Sequence, residues 1–595
     1  MVKIQTKAVL EQLRSEDLKL IARKLNLSRN ITRKADLINE FQRLFENDLP
    51  KILDLCTDKQ KTLLAEAAYG QGKVQKKTFK GKYGYPCPQR NYSWPSKDIS
   101  PFNLLVFNSE DGRHICVLPD IVESLRQLLP KPEKVTIKTA DTIEKTYKYD
   151  AAERPIHIFE GESVVFTELR QMLSMVQAGK IKVAAKSKRP TDSSVRQIST
   201  ALVLPDFELD IPEKIARRWD ESAGAVRAHA WGVILQQCGW CKVNGNKLDF
   251  TRTGKKLLSG ITPSDLKTGF LRYLRNDSFD EMNRINNIRG QTGKGKREMT
   301  RVSDRKVVFC NSMEHWPVNK WIGFNDACRF AMASGKMFDL CHSDPWNLYF
   351  CDKNYGSLGY NGIGEGLERQ FLRVFLFESL ATLGLVDVAY TWPHHLWPEM
   401  GNCWGVDDLS FCGRYDGLLY VKLNSLGAYC LGICDKYEAP KIQQRKLFKV
   451  LSNHELASVQ DCEIPAADLC TLELFAKPKS EFVWKLDKNR ILKHIESGGS
   501  IENLKLFLKN KTDGEIPETV HIFLRDIEKK LSAFCGIQDA ILIEVNDKTT
   551  AALIAHDSHA GKCCYPAGSF RLVVPKKKER AFRSALKKMG YVLPQ

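Results

Sequence analysis

A chain of 595 residues with 90 Lys+Arg against 71 Asp+Glu carries a net charge of +19, so a polyanion is the expected partner, because each neutralised phosphate releases condensed counterions. Its 43% hydrophobic share, with 28 Phe, 17 Tyr and 11 Trp, excludes wholesale disorder, and the length suits about four compact units. No apolar run approaches the roughly 18 residues of a membrane span, no signal-like segment opens the chain, and 18 cysteines without a dense framework fit a reducing compartment, so a cytoplasmic protein without disulfides, away from membranes, is expected.

Residues 1–50 read as a helical hairpin. Ser15 is placed to cap a helix carrying Leu18, Ile21, Ala22 and Leu25 on one face, and Thr32 a second carrying Leu37, Ile38, Phe41, Leu44 and Phe45. Arg33 and Lys34 start that second helix, and the pattern resembles a SAP-type helix-loop-helix, which implies phosphate contact there. Residues 51–135 follow the outline of a winged helix, with a helix over 58–69, a basic stretch over 73–83, and strands over 104–107 and 115–118 joined across Ser109-Glu-Asp-Gly112. Residues 136–205 suggest a second such unit, with the basic turn Lys186-Ser-Lys-Arg-Pro190 ahead of a helix bearing Val195, Ile198 and Leu202. Lys186, Lys188 and Arg189 are candidate DNA contacts.

An internal repeat is the strongest organising signal. Leu235-x-x-Cys-Gly239-Trp-x-x-Val243 and Leu380-x-x-Leu-Gly384-Leu-x-x-Val388 share a helix end turning into a strand at one glycine. Leu248-x-Phe-Thr251-x-x-Gly254 and Val421-x-Leu-Asn424-x-x-Gly427 then share a strand that breaks into a helix. Two further winged-helix-like units are therefore expected over 206–265 and 346–440, the latter with a long wing from Tyr390 to Arg414 carrying Trp392, His394, His395, Trp397 and Trp404.

Between the copies, 266–345 holds the densest basic stretch: Arg284, Arg289, Lys294, Lys296, Arg297, Arg301, Arg305 and Lys306 against only Glu298 and Asp304. Gly290, Gly293 and Gly295 make it loop-like. Arg289, Lys294, Lys296, Arg297, Arg301 and Arg305 are the principal candidates for phosphate contact. Gly290-Gln-Thr-Gly-Lys-Gly295-Lys296 has phosphate-loop spacing, but Arg297 stands where magnesium needs Ser or Thr, and no buried strand precedes it. No acidic motor box follows. Cys238-Gly-Trp-Cys241 has redox spacing in the wrong order of helix and strand, so buried packing is the expectation. His394, His395, Cys403 and Cys412 fit no standard metal site, and Gly359, Gly362, Gly364 and Gly366 read as a helix entry. Asp407, Asp408 and Asp416 near Lys422 keep a metal-dependent nuclease open as the alternative class, beside a stand-alone transcription regulator.

The segment 482–591 resembles the domain that precedes the motor in bacterial XPB-type helicases, through Trp484-Lys-Leu486, Ile491 to Gly498, Ile501 to Leu508, Ile516-Pro517 with Val520 to Leu531, a strand Ala540 to Val545 with Ala551-Ala-Leu-Ile554 as its partner, and Ala585 to Tyr591. Residues 284–437 are similar to bacterial helicase-associated proteins through Ile288-x-Gly-Gln291, Asp344-Pro-Trp346, Tyr355-Gly-Ser-Leu-Gly359, Leu383 to Asp387 and Arg414-Tyr-Asp-Gly417. The resemblance implies an XPB-like unit over 441–595, no motor, and DNA binding, duplex or single strand, beside a helicase or other DNA-processing protein in repair or phage defence. The expectation is thus an α+β, multi-domain, non-enzymatic DNA-binding protein with no catalytic residue, cofactor or metal.

Overall fold

The computed structural model describes residues 6–27, 31, 33–91, 99–149, 152–212, 222–351, 357–361, 363–401, 403–406, 409–438, 446–459, 464, 466–496, 500–531 and 539–594. The fold is α+β, with many short helices and several small sheets. It divides into two compact units: 1–445 with 461–476 and 489–504, and 446–460 with 477–488 and 505–595.

Within the first unit one connectivity occurs three times: helix, strand, helix, helix, two-stranded hairpin, with the first strand pairing the last. In copy one the helix Asp58–Tyr69 is held by a capping box of Thr57 and Gln60, and strand Lys73–Gln75 pairs His114–Val117, which pairs Val106–Asn108. The expected turn holds, with Gly112 at φ 66° and the Arg113 amide donating to Asp111 at 3.0 Å. In copy two, helices Val165–Gln177, Asp192–Ala201 and Arg227–Gln237 precede strands Cys241–Asn244 and Lys247–Phe250, and the first strand is reduced to a bridge of Lys182 with Lys247. Copy three has helices Val302–Met313 and Phe324–Ala333, a third running through Gly366–Val374 and Phe375–Leu380, and strands Trp321–Gly323, Val386–Tyr390 and Leu418–Leu423.

The repeat has a packing reason. Gly239 and Gly384 take φ of 71° and 69°, a left-handed cap that any Cβ would strain. Gly254 and Gly427 press so closely on the carbonyls of Trp240 and Leu385 that a Cβ would collide. Thr251 and Asn424 cap the helix that follows each hairpin, accepting from the amides of Gly254 at 3.1 Å and Gly427 at 2.9 Å.

Several expectations change. Residues 136–205 do not stand together: Ala140 bridges Trp321 at one edge of the third sheet and His157–Phe159 pairs Val388–Tyr390 at the other, while 165–201 joins 227–250 in copy two. The helices of 1–50 share one core with residues up to Leu129. Ser15 opens its helix rather than capping it, and Arg14 before it bonds Asp17; Thr32 lies outside the described residues. The long wing is folded inward, with Trp392, His394, Trp397, Cys403 and Cys412 buried and Trp404 exposed. Arg154 ties it down by donating to the His394 carbonyl at 2.7 Å.

In the second unit, Phe448–Val450, Glu455–Ser458, Val483–Leu486 and Ala476–Ser480 form a four-stranded sheet. Ala540–Glu544 pairs Arg571–Pro575, which also pairs Tyr565–Pro566. The expected strand at 551–554 is instead part of helix Lys548–His556, capped by Asp547. Leu572 and Val574 face inward with Ile554, Phe582, Ala585 and Leu586. Residues 489–504, inside the XPB-like segment, belong with the first unit.

Candidate nucleic-acid interface

The basic stretch, expected to be loop-like, is instead a strand, Ile288–Arg289, a short helix, Lys294–Glu298, and the start of helix Val302–Met313, stitched together by the turns between them. Ile288–Arg289 pairs Tyr349–Phe350, the Met299 backbone bridges Cys341, and the amides of His342 and Thr300 donate to Glu298 and Leu340 at 2.8 Å. The Glu298 carboxylate accepts from the Asn347 amide at 3.2 Å and from its side chain, and Gln291 donates to the carbonyls of Ile288 and Met282 at 2.8 and 3.1 Å. A Cβ on Gly290 would strike the Asn347 carbonyl, and one on Gly295 the Gly290 carbonyl. The glycine spacing that mimics a phosphate loop is therefore a requirement of the loop folding onto itself and onto 347.

Its charges divide. Arg289, Lys294, Lys296 and Arg297 are exposed and make no ion pair among the described residues. Arg301 is exposed but held by Asp277 at 2.9 Å. Arg305 corrects the expectation of a surface contact: it is 1% exposed, gripping both Asp280 oxygens at 3.0 and 3.2 Å. Lys306 is equally buried, 2.8 Å from Glu281 and over the Tyr273 ring. The segment that pairs with this stretch, together with the turn hydrogen-bonded to it, carries two exposed aromatics, Trp346 at 47% and Tyr360 at 78%, edge to face with centroids 4.6 Å apart. Asp344-Pro-Trp346 carried a resemblance in sequence; its contact with Gly359 and Tyr360, and its place just ahead of the strand that pairs Ile288–Arg289, needed the fold.

The other candidates lie apart from this loop in the chain. Arg33 is exposed at the start of helix Lys34–Asn47, while Lys34 is half-buried and donates to the Glu11 carbonyl at 2.6 Å. Lys186 and Lys188 are exposed on a turn closed by Lys188 donating to Ala184 at 2.8 Å. Arg189 turns inward toward His229, Arg284 and Glu378, and burial with the nearby Arg284 charge lowers its pKa.

The helices ahead of the hairpins are not free. In Arg227–Gln237, Arg227, His229, Trp231, Ile234 and Leu235 are buried, with Arg227 paired to Glu168 and the Trp231 indole donating to Glu168 at 3.0 Å. All of Gly366–Leu380 except Arg369 is buried as well. The two meet where His229 lies 3.6 Å from Glu378. Burial pushes the Glu378 carboxyl up, but Arg284 at 2.8 Å, His229 and the Tyr415 hydroxyl outweigh it and hold its pKa at about 2. Burial keeps His229 below its ordinary pKa.

A cleft of about 610 Å³ is lined by residues 339–345 together with Lys76, Lys77, Arg113 and Glu368 among others. Lys77 is matched there by Asp339 at 2.8 Å and Glu368 at 3.8 Å. Burial raises the thiol pKa of Cys238 and pushes that of Cys241 up to about 12, so both act as small apolar groups. Asp416 accepts from the amides of Cys412 and Gly413 at 2.8 and 3.0 Å and from Gln370 at 2.9 Å; burial raises its pKa to about 6. Asp407 and Asp408 lie outside the described residues, among which no three His, Cys, Asp or Glu side chains gather as a metal site would need. A scan against protein-family models finds no match, and a search of the curated proteins returns no relative.

Proposed function

We propose that this chain is a non-enzymatic DNA-binding protein that grips DNA mainly through phosphates, acting beside a helicase or other DNA-processing partner. The three repeated units have winged-helix connectivity, in which the helix ahead of the wing is the one that enters a groove. In copies two and three that helix is buried, which argues against base reading through it. The observation that carries the reading is the remaining surface: Arg289 on strand Ile288–Arg289 and Lys294, Lys296 and Arg297 on the short helix Lys294–Glu298 are exposed and unpaired among the described residues, on a backbone fixed on both sides. Preplaced cations lose little freedom on meeting a phosphate, and such contacts position without reading sequence. The partner class rests on the resemblance of 284–437 and 482–591 to helicase-associated proteins.

The test is a salt titration of DNA binding. Log affinity should fall linearly with log salt, by about 0.9 per phosphate on duplex or 0.7 on single strand, with little dependence on sequence. Replacing Arg289, Lys294, Lys296 and Arg297 together by Ala should weaken binding to every sequence and flatten the slope by about one unit per lost contact. Unchanged affinity and slope in that variant would overturn the proposal.

A further inference from the structure

We infer that the same surface takes a single strand, with Trp346 and Tyr360 as the platform on which its unpaired bases stack; this rests on the phosphate-binding reading above. Large aromatics are ordinarily drawn inward, yet these two stand open to solvent within the segment that is stitched to the basic loop. Tyr349, three residues beyond Trp346, is the strand partner of Arg289, and Asn347, the next residue, is clamped by Glu298 and overlies Gly290. The aromatics and the cations therefore ride on one backbone scaffold.

The platform is held in place. The Trp346 indole lies against Gly359, close enough that a Cβ there would come within 2.8 Å of the ring. Tyr360 closes against it edge to face, with planes 88° apart. The backbone repeats the link, since the Gly359 amide donates to the Pro345 carbonyl at 3.2 Å and the Leu358 amide to Leu348 at 2.6 Å.

A paired duplex keeps its base faces stacked on one another and offers an aromatic ring only edges and phosphates. A single strand offers every base face, and combining cations along the backbone with aromatics under the bases is how sequence-tolerant single-strand binding works. A protein partner would also cover aromatics, but four unmatched cations carried on the same backbone scaffold favour a repeating anion. In copies two and three the helix that would enter a groove is buried, which leaves duplex reading there without its usual element.

The experiment separates bases from phosphates. Binding of the full chain is measured by fluorescence anisotropy to an oligothymidylate of about a dozen nucleotides, to an abasic strand of the same length, and to duplex; a matched oligouridylate identifies the sugar. The thymidylate should bind about tenfold more tightly than the abasic strand, and Trp346→Ala should erase that difference while leaving the salt slope intact. Trp346→Phe should retain most of it, and Tyr360→Ala should reduce it in part. Equal affinity of the wild-type chain for thymidylate and abasic strands, or a base-dependent difference that survives Trp346→Ala, overturns the inference. Loss of slope in the Arg289, Lys294, Lys296 and Arg297 variant would in that case leave the phosphate reading standing, whereas an unchanged slope would remove both.

Discussion

Two adjacent pairs of basic residues, Lys296-Arg297 and Arg305-Lys306, belong to one charged stretch and meet opposite fates. The first is exposed on the short helix Lys294–Glu298, and the second lies within the core on helix Val302–Met313. The difference comes from helix phase. Arg305 and Lys306 precede Phe309 and Cys310 by four residues each, so they continue a buried face, and Asp280 and Glu281 rise from the preceding segment to meet them. Counting charges within 284–306 misses those acids because they sit just upstream, as it misses Glu378, the partner of Arg284, because that lies far downstream. A basic stretch thus specifies a polyanion site only for the cations that the fold leaves without a carboxylate.

The largest effect expected from this comparison is on stability. Lys306→Ala would leave Glu281 and the Tyr273 hydroxyl, 2.6 Å apart, around an uncompensated buried charge. A loss of about 3–5 kcal/mol is expected in urea unfolding. The pair replacement Lys306→Met with Glu281→Gln should restore much of it, and a single variant as stable as wild type would show that the interior pair carries no such weight.

Next comes the acid dependence set by Glu378. Its carboxyl drops from an ordinary 4.5 to about 2 in the folded chain, so the unfolded chain binds the extra proton between those values. The stabilisation is present above about pH 4.5 and is lost as pH falls toward 2, amounting to about 3 kcal/mol. Urea midpoints measured down this range should decline, and Glu378→Gln, although less stable at neutral pH for leaving Arg284 unmatched, should show a shallower decline. Parallel curves for the two proteins would refute the assignment.

How much of this was legible beforehand follows the physics of each feature. The repeat could be read because left-handed caps at Gly239 and Gly384 and close backbone approaches at Gly254 and Gly427 each admit little but glycine. The burial of Arg227–Gln237 had a signal as well, since that helix is apolar around much of its circumference, whereas Gly366–Val374 is amphipathic and buries Glu368, Gln370 and Arg373 by pairing them, which its sequence did not show. The pairing of 157–159 with 388–390 was not legible: it spans more than two hundred residues with no turn to announce it. The strand expected at 551–554 failed because Ala-Ala-Leu-Ile fits a buried helix as well as a strand, and the Asp547 cap decided it. At the candidate site the four free cations were legible as residues, whereas their freedom was not.

The repeat gives a smaller test. Gly239→Ala pays for the left-handed conformation alone, since its side is lined only by Arg272 at 3.4 Å, and should cost about 1–2 kcal/mol. Gly384→Ala meets the Val165 side chain at 2.8 Å and the Gly161 carbonyl at 2.9 Å in addition, so it should cost more. Equal losses in thermal or urea unfolding would mean that the two turns differ less than their surroundings indicate.

The smallest expected effect returns to Lys296-Arg297. Lys294, Lys296 and Arg297 touch no carboxylate among the described residues, and truncating an exposed, unpaired side chain usually moves stability by no more than about 0.5 kcal/mol. Each Ala variant should therefore unfold with the wild-type midpoint while binding DNA more weakly. Like charges this near along the chain repel, so removing one can even stabilise the free protein slightly, an effect that fades as salt shortens the screening length. Arg301→Ala serves as the internal control: it breaks the exposed pair with Asp277, in which hydrogen bonding to that carboxylate raises the arginine's own pKa, and solvent screening leaves such an exposed pair little weight in stability. Urea midpoints at low and high salt decide the matter. If Lys296→Ala or Arg297→Ala destabilises the chain as strongly as Lys306→Ala, these cations are structural, and the division between the two halves of the basic stretch fails.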